Sequence, residues 1–157
     1  MRKIMALLFL LSLPFLPGNS YAQKKGYDLN WQTDFESAKT IAKSKKKLIL
    51  IYFTGSDWST SCKNLNEDFF YTDKFKSLAD KHLILVRVDS PHRPNLISEL
   101  QKDYNQELSR IYHQRVFPTV VLVDHLGTKI GAVESYNFLH DTSKHYKLIN
   151  DALKKKR

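Results

Sequence analysis

The sequence predicts an α/β domain, a mixed central sheet covered by helices on both faces. Three observations predict it. Short apolar runs at Leu48–Phe53, Leu83–Val88 and Thr119–Val123 have the length and residue types of buried strands. The segments between them place apolar residues at helical spacing. A four-residue turn, Asp124-His125-Leu126-Gly127, joins the third run to Lys129–Val133 and reads as a hairpin. Long crossovers between the first three runs allow them to pair in parallel, and the short turn forces the last two strands antiparallel. The expectation is three parallel-type strands plus an antiparallel C-terminal hairpin, flanked by helices.

The elements follow in chain order. Residues 23–30 are polar and read as an irregular start. Thr33-Asp34-Phe35-Glu36 has the spacing of a capping box, with Thr33 as cap and Glu36 reaching back. Phe35, Ala38, Ile41 and Ala42 then mark the buried face of a helix. Leu48–Phe53 is continuously apolar, as a central strand should be. A second helix begins near Ser59, with Cys62, Leu65 and Phe69 on one face. Thr72 caps a third, carrying Phe75, Leu78 and Ala79. The strand Leu83–Asp89 runs into Ser90-Pro91-His92-Arg93-Pro94, a rigid polar connection. A helical pattern extends from Asn95 to about His113, with an expected break near Asp103-Tyr104-Asn105. After the hairpin, Thr142 to Lys154 forms a final amphipathic helix with Tyr146, Ile149 and Leu153 inward.

Met1-Arg2-Lys3, the apolar stretch Ile4–Leu16 and the small residues of Ser20-Tyr21-Ala22 have the pattern of a cleavable secretory signal, cut before Gln23. The apolar stretch is short for a hydrocarbon core of ~30 Å, and no cysteine follows the cut to carry a lipid anchor. The expectation is a signal over 1–22 and one domain over 23–157, exported to the periplasm or beyond the cell, meeting membrane only in transit. About 135 residues remain, enough for a single core. The net charge of +9 falls to about +7 when Arg2 and Lys3 leave. The basic residues concentrate in Lys43–Lys47 and Lys154–Arg157 at predicted helix C-termini, where cations complement the helix dipole. They are not expected to bind nucleic acid.

Cys62 is the only cysteine, so no internal disulfide can form. Its surroundings are specific. Phe53-Thr54-Gly55-Ser56-Asp57-Trp58 leads from a strand into Ser59-Thr60-Ser61-Cys62-Lys63 at a helix start, and Phe117-Pro118-Thr119 precedes another strand. This layout resembles the thioredoxin superfamily, and within it a group of exported bacterial thioredoxin-like proteins with a Phe-x-Gly-Ser-Asp-Trp-Cys-x-x-Cys-Lys pattern. The resemblance covers roughly residues 31–155. It implies a thioredoxin fold, a thiol–disulfide oxidoreductase with two active-site cysteines, and a cis-proline opposite them whose neighbouring backbone docks extended polypeptide. Trp58, Cys62, Lys63 and Pro118 match by position. Ser59 stands where the family has its first cysteine.

That departure decides the chemistry. In a Cys-x-x-Cys site the first thiolate, stabilised by the helix N-terminus, attacks a substrate disulfide and the second thiol resolves the mixed disulfide. A serine alkoxide is inaccessible near neutral pH, and an S–O bond is not exchangeable. Ser59 is a good N-cap, able to accept from the N–H of Ser61 or Cys62. Cys62 occupies the resolving position, where the side chain tends to point inward, and a buried thiol is inert. The central strand also lacks the buried carboxylate that serves some thioredoxins as a proton acceptor; Asp57, in the loop, is the nearest acid.

Two functions remain open. One is a redox-inactive or weakly active module that binds polypeptide or a protein partner along the proline edge through Trp58, Phe117, Pro118 and Thr119, with Tyr52 as a further candidate for the apolar surface. The other is a monothiol redox protein acting through Cys62. A monomer is expected. The histidines His82, His92, His113, His125, His140 and His145 form no ligand pair of zinc-site spacing, and there is no glycine-rich phosphate loop, so neither a metal nor a cofactor is expected.

Overall fold

A computed structural model describes residues 27–156; the signal predicted over 1–22 lies outside them. The chain order is β1 (Trp31–Gln32), α1 (Phe35–Lys45), β2 (Leu48–Thr54), α2 (Thr60–Leu65), α3 (Asp73–His82), β3 (Leu83–Asp89), α4 (Glu99–Ile111), β4 (Thr119–Val123), β5 (Lys129–Glu134) and α5 (Ser143–Lys155). Helix α2 continues through a π-helical turn, Asn66–Phe70. The five strands lie in the order β1-β3-β2-β4-β5.

Strand β2 is buried along its whole length, and its alternating side chains build two separate cores. Leu48, Leu50 and Tyr52 face Leu65, Phe69, Phe70, Phe75 and Ile149. Ile49, Ile51 and Phe53 face Phe35, Ala38, Ala42, Leu108 and Tyr112. A strand wrapped on both faces has no polar side to show, hence its unbroken apolar sequence. The π-turn inserts one extra residue into the helical repeat, and both Phe69 and Phe70 become fully buried.

The α/β class and the mixed sheet are as the sequence predicts. Several details differ. Strand β4 runs antiparallel to β2, with Phe53 opposite Thr119 and Ile49 opposite Val123. A long connection permits parallel pairing without requiring it, and the chain leaving α4 re-enters the sheet at the end where β2 finishes. The third parallel strand is β1, pairing Trp31 with Leu85 and Gln32 with Val86. Helix α1 is capped by Asp34, whose carboxylate accepts from the Ser37 N–H, and not by Thr33. Helix α4 is unbroken at 103–105, because Asn105 is buried and its amide donates to the Asp89 carbonyl at the end of β3. Thr72 caps α3 as expected, accepting from Phe75. In α5, His145 joins Ile149 and Ala152 on the buried face.

Candidate functional site

The site forms where β2 ends. Ser90 N–H donates to the Thr54 carbonyl, extending the β2–β3 pairing by one bond. The chain then turns through Gly55–Trp58. Ser56 is fixed by Asp89, which accepts from its backbone N–H at 3.0 Å and its hydroxyl at 2.6 Å. The Ser59 N–H returns to the Gly55 carbonyl at 2.9 Å, and α2 begins. Ser59 is its N-cap: extended backbone, hydroxyl accepting from the Cys62 N–H at 3.3 Å. This is the capping the sequence predicts.

Cys62 lies inside, with no exposed surface. Its sulfur accepts from the Gly55 N–H at 3.5 Å, and its carbonyl accepts from the Tyr52 hydroxyl at 3.2 Å. Tyr52 is therefore not part of the surface around Trp58. It points into the core on the α2 side, against Phe70 and Trp31, and burial, with Cys62 adding to it, pushes its phenol far above the ordinary tyrosine value. The polar group of the central strand that stands beside Cys62 is thus a protonated phenol, and the strand Leu48–Thr54 carries no carboxylate.

Trp58 is held flat. A Cβ on Gly55 would fall 2.2 Å from the indole, so only glycine fits beneath the ring. The His92 imidazole stacks nearly parallel to the indole, at 4.6 Å and 9°. The indole N–H donates to the Ser90 carbonyl at 2.9 Å, and the Phe117 ring meets the indole edge-on at 5.7 Å. The loop carrying His92 is anchored by Asp57, whose side chain is almost wholly covered and accepts from the backbone N–H groups of His92 and Arg93. Those bonds, that from Arg93 foremost, hold the Asp57 carboxyl below its ordinary value against the opposing effect of desolvation. The Lys63 ammonium donates to the Asp57 carbonyl. Sequence reasoning missed the roles of Gly55, Asp57 and His92. Only the glycine, within the Gly-Ser-Asp-Trp run, carried a local signal.

The Phe117–Pro118 bond is cis. Pro118 is buried and its carbonyl accepts from Ser135 N–H at 2.8 Å. Thr119 opens β4 with its side chain fully buried and its hydroxyl donating to the Val116 carbonyl. The structure thus brings Trp58 and Phe117 together at a partly exposed edge, with Pro118 and Thr119 behind them and Ser59 and Cys62 at the adjoining helix start. Among the described residues, no group of three or more His, Cys, Asp or Glu side chains is arranged to hold a metal ion.

A family model described as thioredoxin-like matches residues 30–125. The chain is 34% identical over 104 residues to the disulfide bond reductase DsbH of Chlamydia pneumoniae, covering 66% of this chain and 61% of that protein. It is 26% identical over 137 residues to the thioredoxin-related protein DsbJ of the same organism, covering 85% of this chain and 38% of that one. The match thus spans less than two thirds of either relative. Among solved structures, a DsbH oxidoreductase superposes with a TM-score of 0.68 at 30% identity, covering 78% of this chain and 85% of that one. A thioredoxin from Thermus thermophilus gives 0.60 at 18% identity, over 80% and 87%, a likeness of fold alone.

Proposed function

This chain belongs to the thioredoxin-like family, and from that premise we propose that it is an exported, polypeptide-binding member whose dithiol centre has been reduced to Ser59 and Cys62. Residues 1–22 serve as a cleavable signal, and 23–157 form the domain that works in the periplasm or outside the cell. Trp58 and Phe117 offer the contact edge. Pro118 and Thr119 shape the backbone behind them, where an extended segment of a protein partner docks. Ser59 caps the helix in place of a nucleophile. The observation that carries this reading is the complete enclosure of the one thiol. A sulfur with no exposed surface cannot meet a partner's disulfide in line.

A second reading, a monothiol redox protein acting through Cys62, draws on the similarity to a disulfide bond reductase. It requires the start of α2 to open. The rate of Cys62 alkylation by iodoacetamide separates the two. A binding module leaves the native thiol at least about 100-fold slower than the same thiol in urea, because reaction must wait for local opening. Equal rates in the two states overturn the first reading in favour of the second.

A further inference from the structure

The loop from β5 to α5 presents two apolar side chains to water and is held too firmly for that to be incidental. Phe138 is 86% and Leu139 71% exposed. On either side of them the backbone is fixed. Tyr136 is buried, and its hydroxyl donates to an Asp68 carboxylate oxygen at 2.8 Å; the His140 imidazole meets the same oxygen. The Asn137 side chain accepts from the Leu139 N–H at 3.0 Å. Ser135 and His140, which bracket the pair, have φ of 62° and 55°, a left-handed conformation that non-glycine residues seldom adopt without being held there. At its base the Ser135 N–H donates to the Pro118 carbonyl, so the loop springs from the same proline that backs the Trp58–Phe117 edge. Asp68 lies on the π-turn that continues α2. The loop therefore joins the proline segment of the site to the far end of the helix that Ser59 opens.

Building on the function proposed above, we infer that Phe138 and Leu139 form a second contact on the same docking surface and take an apolar side chain of the bound polypeptide. Their size fits this occupant. A Phe and a Leu together offer about 300–400 Å², well short of the ~800 Å² per partner that a stable protein–protein interface buries. The pair is too small to hold a second copy of the chain alone and is the right size for one or two residues of an extended segment. Residues 135–141 themselves contain Asp141 and neither Lys nor Arg, and the lysines that line the adjoining surface, Lys74 and Lys147, stand beside that carboxylate, so the pair has no basic residue of its own to hold an anionic headgroup. The loop confers preference for apolar residues, while the proline edge engages backbone of any sequence.

The test is fluorescence anisotropy of the 23–157 protein with two fluorescein-labelled, cysteine-free decapeptides, one of Ser and Thr only and one with two positions changed to Leu. The wild-type protein is expected to bind the leucine peptide about tenfold more tightly, the scale set by burying one such side chain. In the double variant Phe138→Ser, Leu139→Ser, that preference is expected to fall to within about twofold while the circular dichroism and Tm stay unchanged, since both side chains are exposed. If wild type binds both peptides alike, or the variant keeps the preference, the inference is overturned and the docking reading survives. If wild type binds neither peptide, the docking reading itself falls and takes the inference with it. A wild-type dimer in sedimentation that the variant loses, or flotation of wild type with phosphatidylglycerol vesicles, assigns the pair to self-association or membrane and overturns the inference likewise.

Discussion

The backbone N–H of Gly55 points at the sulfur of Cys62 from 3.5 Å, in a space from which solvent is excluded. The thiol is thus built into the turn between β2 and α2 as an acceptor and a packing group. Cys62→Ala removes both functions, and its expected cost is about 1–2 kcal/mol, the scale of a small buried deletion. Urea denaturation of the two proteins measures it. Peptide binding at the Trp58 edge is expected to persist in the variant; a loss of binding with the fold intact would give Cys62 a direct part in the function.

Gly55→Ala tests the platform. The added Cβ would lie 2.2 Å from the Trp58 ring, so the indole must leave its place against His92. The predicted destabilisation is about 1–3 kcal/mol, as for other overpacked sites. Loss of the Ser90 hydrogen bond and the His92 stack should also shift the tryptophan emission to the red. An unchanged spectrum would mean that the ring does not rest on Gly55.

These relationships show where a sequence is legible. Strands β2, β3 and β4 could be found because burial on both faces leaves its mark on nearly every residue. Ser59 and Thr72 could be found because an N-cap is a local bond, made within three residues. What escaped was non-local. Strand β1 is two residues long and has no alternation to detect. The direction of β4 depends on where α4 releases the chain. Asn105 looks like a helix breaker until the Asp89 carbonyl stands beside it. The clamp on Trp58 joins residues 57–58 to 90–93 and exists only once β2 and β3 have paired. His145 had a usable signal, its helical spacing to Ile149 and Ala152, but a polar residue on an apolar face is easily set aside.

His145 gives the stability of the domain a defined pH dependence. It is almost wholly buried against Phe69 and Tyr136, and neither ring nitrogen meets a hydrogen-bond partner among the described residues. Burial lowers its pKa from 6.5 to about 4, with Asp141 opposing the shift. The unfolded chain takes up a proton near pH 6.5 and the folded one only near 4. Stability is therefore complete above about pH 6.5, falls as pH drops through that window, and has lost this contribution below 4, a change of up to about 3 kcal/mol. His145→Leu should flatten the slope of unfolding free energy between pH 4.5 and 6.5, measured by urea titration at each pH. A slope equal to that of wild type would remove His145 as its source.

The last prediction separates loss of the nucleophile from loss of the whole site. Ser59 holds the N-cap, and its oxygen lies 3.3 Å from the Cys62 nitrogen, so Ser59→Cys places a second sulfur at the helix start, in the position the family gives its attacking thiol. The substitution is nearly isosteric, and the main structural cost is the cap, about 0.5–2 kcal/mol. The new thiol meets the N–H groups and dipole that favour thiolate at such positions. Air oxidation is expected to join it to Cys62, and the variant should reduce insulin disulfides measurably where wild type does not exceed background. The rate should stay modest, because the central strand offers no carboxylate as proton acceptor and the Tyr52 hydroxyl beside Cys62 is occupied by the Cys62 carbonyl. Thiol titration before and after oxidation, followed by the insulin assay, gives the answer. If the variant folds and both thiols remain free under oxidising conditions, residue 59 is not placed to close a disulfide onto residue 62, and a site lacking only its nucleophile is the wrong description of this protein.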